Sequence, residues 1–194
     1  ELGGKTPVMV FDDYDIDRAV NYAAFGAFIG AGQTCICASR HLVQASIYDE
    51  FVARLKAKTE TIRIGDPFDP ATQLGPVISA RQRDRVMSYC ELGRDEGARL
   101  VTGGVRANVP GHENGYFVEP TVFADVRSDM RIFQEEVFGP FTSVTPFKDE
   151  ADALRLANDS PFGLAAAIRT RDVARAHRVA ASVKCGIVWI NDHH

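Results

Sequence analysis

Residues 142–190 read TSVTPFKDEADALRLANDSPFGLAAAIRTRDVARAHRVAASVKCGIVWI. The stretch resolves into a strand at 142–147, a helix at 150–158, a strand at 164–170, a helix at 173–183 and a strand at 187–190. Strictly alternating strands and helices predict an α/β fold, a three-layer, doubly wound, mostly parallel sheet. In such a fold ligands are expected at the carboxyl ends of strands, which directs attention to the loops holding Cys35, Glu136 and Asn191. The upstream sequence continues the pattern. Ile16, Ala19, Val20, Ala23, Ala24, Ala27 and Phe28 recur at spacings of three and four, so 15–29 reads as an amphipathic helix. Asp12, Asp13 and Asp15 sit at its positive end. A short strand is expected at 41–45, and Ser46 with Asp49 resembles the opening of the next helix through Phe51, Val52 and Leu55. Gly and Pro punctuate a loop at 65–76. A third helix is expected over 80–96, closed by Gly97, followed by strand-like 99–102 and 116–126 around a Gly-, Asn- and Pro-rich loop.

The chain has 194 residues, enough for one domain with a full core and too few for two comfortable ones. With 45% apolar and 25% charged residues it is neither disordered nor a small disulfide scaffold. No apolar run approaches the ~18 to 20 residues that span a bilayer. A formal charge of −4, with Lys and Arg scattered among acids, argues against nucleic acid or an anionic membrane as main partner. A small-molecule site or a protein partner is left. Glu1 without a preceding methionine and the abrupt stop at His193-His194 read as the ends of a piece cut from something longer.

Cys35, Cys37, Cys90 and Cys185 are unevenly spaced, which disfavours a disulfide framework. No second pair accompanies Cys35-Ile36-Cys37, so no metal site is expected. Cys90 and Cys185 read as buried small hydrophobes. Cys35 lies in the loop Gly32-Gln33-Thr34-Cys35, where a glycine-rich turn would admit substrate and backbone N–H groups could stabilise thiolate and oxyanion. Glu1 precedes Leu2-Gly3-Gly4-Lys5, and burial would suit it to act as a general base. Glu135-Glu136-Val137-Phe138-Gly139-Pro140 offers a carboxylate for ribose hydroxyls and a ring for a flat cofactor. Each has a plain alternative: an inert cysteine, an exposed turn, a solvated acidic turn before a strand.

The three segments occur in this order, with 34 positions from Glu1 to Cys35 and 101 from Cys35 to Glu136. Together they resemble the NAD(P)-dependent aldehyde dehydrogenase superfamily in its glutamate, cysteine and E-E-x-F-G-P segments. The likeness extends through Gly65-Asp66-Pro67, Leu74-Gly75-Pro76 and Gly186-Ile187-Val188-Trp189-Ile190-Asn191 and covers essentially the whole chain.

The resemblance implies roles. Cys35 is similar to the nucleophile that forms a thiohemiacetal and then a thioester, and Glu1 to the base that activates water for hydrolysis. The Cys35 N–H is one implied oxyanion donor; the second, an asparagine side chain, belongs to an earlier part of the family's sequence. Glu136 matches the ribose-binding glutamate and Phe138 the aromatic beside the nicotinamide of NAD (or NADP). Leu2 and Gly3 are further implied contacts to that ring, and Gln82 another cofactor contact. Arg85 stands where relatives often carry lysine. Asn191 matches a common asparagine, whereas Asp192, His193 and His194 depart from the commonest version and either line the aldehyde entrance or cap a strand. No G-x-G-x-x-G turn follows any strand. The resemblance therefore places the cofactor-binding domain ahead of a catalytic domain at 1–194 and an oligomer-forming segment beyond it, so the 194 residues alone are expected to be inactive. The implied parent is a cytoplasmic homodimer or homotetramer acting on a small-molecule aldehyde. Branches that pass the acyl group to coenzyme A often lack the hydrolytic glutamate, so Glu1 favours hydrolysis. A non-catalytic structural member would be expected to lose Cys35 or Glu1, and both are present.

Overall fold

The structure, a computed structural model, describes residues 2–192. The elements run β1 (Pro7–Val10), α1 (Ile16–Phe28), β2 (Arg40–Gln44), α2 (Tyr48–Glu60), α3 (Ala80–Asp95), β3 (Arg99–Thr102) and β4 (Thr121–Ala124). They continue with α4 (Arg131–Gln134), β5 (Phe141–Phe147), α5 (Glu150–Asn158), β6 (Ala165–Arg169), α6 (Val173–Ser182) and β7 (Ile187–Ile190). The strands form one seven-stranded sheet in the order β3-β4-β5-β2-β1-β6-β7. Every neighbouring pair is parallel except β3 with β4.

Alternation along β1 divides the core into two layers. Val8 and Val10 face a cluster with Val20, Ala23, Phe51 and Leu55 from α1 and α2. Met9 and Phe11 face the other cluster, with Val86, Phe133, Leu156 and Val179 from α3, α4, α5 and α6. Successive side chains of a strand point to opposite faces, so a strand covered on both faces must be apolar throughout. All four residues of β1 are buried. The expected three-layer, mostly parallel sheet is therefore what the chain forms.

Helix starts follow local side-chain chemistry. Asp15, Asp149 and Asp172 each accept the backbone N–H three residues on, at 2.9 to 3.0 Å, and Ser79 accepts that of Gln82 at 3.2 Å. The expected Ser46 cap is not formed. Its hydroxyl instead donates to Asp12 at 2.9 Å, and a 3-10 turn at Ala45–Ile47 leads into α2. The strand expected at 116–126 shortens to β4, because Pro120 has no N–H for a ladder; upstream only an isolated Arg106–Val118 bridge forms. No helix among the described residues is long and apolar enough to cross a membrane.

Candidate functional site

The glycine-rich segments meet at the amino ends of the strands. Gly3 and Gly4 precede β1, Cys35 precedes β2, and Glu136 and Phe138 precede β5. The expectation that the site lies at carboxyl ends is thus corrected. That rule describes crevices between strand ends and the helices that follow, whereas these segments are the connections that enter strands. Asn191 follows β7 at the other end of the sheet, where its amide clasps Thr170 through two hydrogen bonds of 2.9 and 3.0 Å. The Asp192 carbonyl there accepts Arg169 Nη1 at 2.6 Å. Neither residue is brought to Cys35.

Two missing side chains let the segments touch. Gly32, at φ +68°, lies so close to Gly139 that a Cβ would overlap that carbonyl, and a Cβ on Gly4 would overlap the Cys35 carbonyl. Glu136 closes the arrangement. Its Oε1 accepts the Gly4 N–H at 2.9 Å, and its Oε2 lies 2.5 Å from where a Gly3 Cβ would stand. Leu2 projects into solvent, 97% exposed. Glu1, His193 and His194 lie outside the described residues.

The two neighbouring cysteines differ in what surrounds them. Cys35 is half-exposed, and its N–H enters no hydrogen bond among the described residues. Cys37 is buried, its thiol directed at the Ala27 carbonyl at 3.6 Å, and burial pushes its pKa up to about 11. Cys90 is likewise buried and pushed up to about 11. Cys185, expected to be buried, is half-buried; burial still raises its pKa. Because the thiolate is the reactive form, limiting iodoacetamide at pH 7.5 is expected to alkylate Cys35 ahead of Cys37 and Cys90. Peptide mass spectrometry checks this, and faster labelling of Cys37 would exclude Cys35 as the accessible thiol.

Phe138 has φ +59°, a region costly for a bulky side chain, so its neighbours must hold it there. The amide of Gln82 donates to the Val137 and Phe138 carbonyls at 3.0 and 2.6 Å. Arg85 donates to the Glu136 and Val137 carbonyls at 2.6 and 3.3 Å. Gln82, expected to contact cofactor, is placed as a clamp on the backbone of the loop carrying Glu136 and Phe138, and Arg85 completes the clamp. Sequence reasoning missed that role, which depends on how closely α3 approaches 136–138. Ser79, Gln82, Arg85, Tyr89 and Arg131 border an open cavity of about 740 Å³ beside this loop.

The chain matches the aldehyde dehydrogenase family over residues 1–194. It belongs to that family. It is 49% identical over 194 residues to betaine aldehyde dehydrogenase of Brucella anthropi and 50% identical to that of Brucella ovis. In each case all of this chain aligns with 40% of the relative, so the chain spans less than half the length of these curated relatives. Among solved structures, betaine aldehyde dehydrogenase from Staphylococcus aureus in complex with NAD+ superimposes with a TM-score of 0.98 at 46% identity, covering 100% of this chain and 39% of that one. No group of three His, Cys, Asp or Glu side chains among the described residues is placed to hold a metal ion.

Proposed function

We propose that the chain is the catalytic domain of an NAD(P)-dependent aldehyde dehydrogenase that oxidises an aldehyde to a carboxylic acid through a thioester on Cys35. The observation that carries this reading is the half-exposed Cys35, its N–H unengaged among the described residues, seated on Gly4, whose own N–H is held by Glu136. The cradle fits the nicotinamide end of NAD. A glycine faces the Glu136 carboxylate, which can accept hydrogen bonds from two ribose hydroxyls, and Phe138 is held in place beside it. When bound, the cofactor accepts a hydride.

The Cys35 thiolate attacks the aldehyde carbon, forming a C–S bond and an oxyanion that the Cys35 N–H stabilises. Loss of hydride restores the carbonyl as a thioester. Water then attacks that carbon, the C–S bond breaks with its electron pair returning to sulfur, and Glu1 takes the water's proton. Aldehyde, water and NAD+ thus give acid, NADH and a proton. The relatives' names make betaine aldehyde the first substrate to assay. The 194 residues supply the acyl-transfer chemistry and the nicotinamide-end contacts, and are proposed not to turn over alone. The enzyme containing them is proposed to be a homodimer or homotetramer in the cytoplasm.

Glu1→Gln in that enzyme is expected to leave a stoichiometric burst of NADH and slow the steady state roughly 100-fold, with acyl-enzyme accumulating on Cys35. Rapid-quench mass spectrometry checks this. A steady state without accumulated thioester would remove Glu1 as the hydrolytic base. Transfer to coenzyme A instead of water would show as coenzyme A-dependent turnover.

A further inference from the structure

Three consecutive residues ahead of the cysteine loop, Gly30, Ala31 and Gly32, have left-handed backbone, with φ of +59°, +55° and +68°. Glycine enters that region freely, but Ala31 carries a Cβ and occupies it at a cost, so its surroundings must hold it there. Gln33 closes the turn. Its backbone N–H and its Nε2 both donate to the Gly30 carbonyl, at 3.1 and 3.4 Å. Its Oε1 accepts the N–H of Ile78, 45 positions along the chain, at 2.9 Å. Ile78 is anchored through its backbone and its neighbours, since its own side chain is 80% exposed. Val77 before it is buried, with its N–H on the Tyr116 carbonyl at 3.1 Å, and Ser79 after it caps α3. The first turns of α3 carry Gln82 and Arg85, which grip the loop of Glu136 and Phe138. One end of α3 therefore holds the Glu136 loop directly and the Cys35 loop through Gln33, two residues ahead of the thiol.

We propose that Gln33 is a positioning residue for Cys35, its amide fastening the left-handed turn at Gly30–Gly32 to the Ile78 N–H at the start of α3. The inference rests on the reading of Cys35 as the nucleophile. Releasing the turn would let Ala31 leave its costly conformation and carry Cys35 with it, and a displacement of about 1 Å at a reacting group is enough to slow a reaction by orders of magnitude. The Glu136 loop keeps its own bonds to Gln82 and Arg85, so the loss falls on the chemical step and not on cofactor binding.

The test compares Gln33→Met, of similar length but without either hydrogen bond, with Gln33→Glu, which keeps an oxygen for the Ile78 N–H, in the enzyme containing this segment. Hydrogen exchange, read by mass spectrometry on the peptide holding Ile78, is expected to lose protection at that amide in the Met variant and retain it in the Glu variant. The rate of NADH formation in a single turnover of betaine aldehyde is expected to fall roughly 10- to 30-fold for Gln33→Met and to stay within about threefold of the parent for Gln33→Glu, with the NAD Kd of both within about twofold. Rates are compared on each variant's high-pH plateau, so that the charge of the Glu variant does not enter through thiol ionisation. Unchanged exchange at Ile78 in Gln33→Met, an unchanged single-turnover rate, or a Gln33→Glu rate as low as that of Gln33→Met overturns the positioning role. So does a rate loss matched by an equal loss of NAD affinity, which would mark a general loosening of the site. Turnover that survives Cys35→Ala sinks the nucleophile reading, and the positioning role with it, whereas turnover abolished by Cys35→Ala but indifferent to Gln33→Met sinks the Gln33 role alone.

Discussion

Cys35→Ala is expected to lower kcat/KM for NADH formation at least ~10⁴-fold, the scale seen when a covalent nucleophile is removed. Its thiol is the half-exposed one of the Cys35–Cys37 pair, and the other is buried with a pKa raised to about 11, so no neighbour can take its place. NAD affinity should stay within about twofold at pH 6. The carboxylate proposed to hold the ribose is seated by the Gly4 N–H, and Cys35 touches Gly4 through its backbone carbonyl, which alanine retains. Steady-state rates and NAD titration on the same preparation separate the two effects. Retention of even a hundredth of the parent's kcat/KM would mean that the aldehyde is oxidised without the proposed thioester.

Gly32→Ala is expected to cost roughly 3 kcal/mol, combining ~1 to 2 kcal/mol for a Cβ in left-handed backbone with ~1 to 3 kcal/mol for overpacking. The added carbon would strike the backbone of Gly139 and Pro140, which cannot rotate away as the end of a side chain can. Gly97→Ala provides the comparison. Gly97 has φ +83° but nothing within 4 Å of its would-be Cβ, so only the backbone preference is lost, about 1 kcal/mol. Urea unfolding of the two variants against the parent measures the difference. Equal losses would show that the Cys35 and Glu136 segments are not packed as tightly as described. Gly32→Ala should also weaken NAD binding, because the displaced backbone carries Glu136 and Phe138.

The elements legible in the sequence are those whose signal is local. Helices α1, α3, α5 and α6 begin at Asp15, Ser79, Asp149 and Asp172, short polar side chains that satisfy the first free N–H groups from within the same turn. Strand β1 was not legible. Pro7-Val8-Met9-Val10 is a short apolar run buried on both faces, without the alternation that marks a half-exposed strand. Ser46 misled because its preferred partner, Asp12, is 34 positions away and becomes a neighbour only in the sheet. At the candidate site, the segments holding Gly3, Cys35, Glu136 and Phe138 were legible from their order and the family resemblance, whereas the contacts between them were not. The opposite placement of Asn191 was not, since it depends on strand direction.

Residue types and local spacing were enough to determine a strand–helix succession, a parallel sheet, and a thiol and carboxylates set in glycine-rich turns. Those properties belong to neighbouring residues and need no folded context. Only the tertiary structure decided that the segments meet where β1, β2 and β5 begin, that Gln82 and Arg85 grip the loop of Glu136 and Phe138, and that Lys5 and Arg40 are buried together beside it. Burial and field arise from residues far apart in the chain, and a side chain's charge acquires its effect only when the sheet has brought those residues within reach.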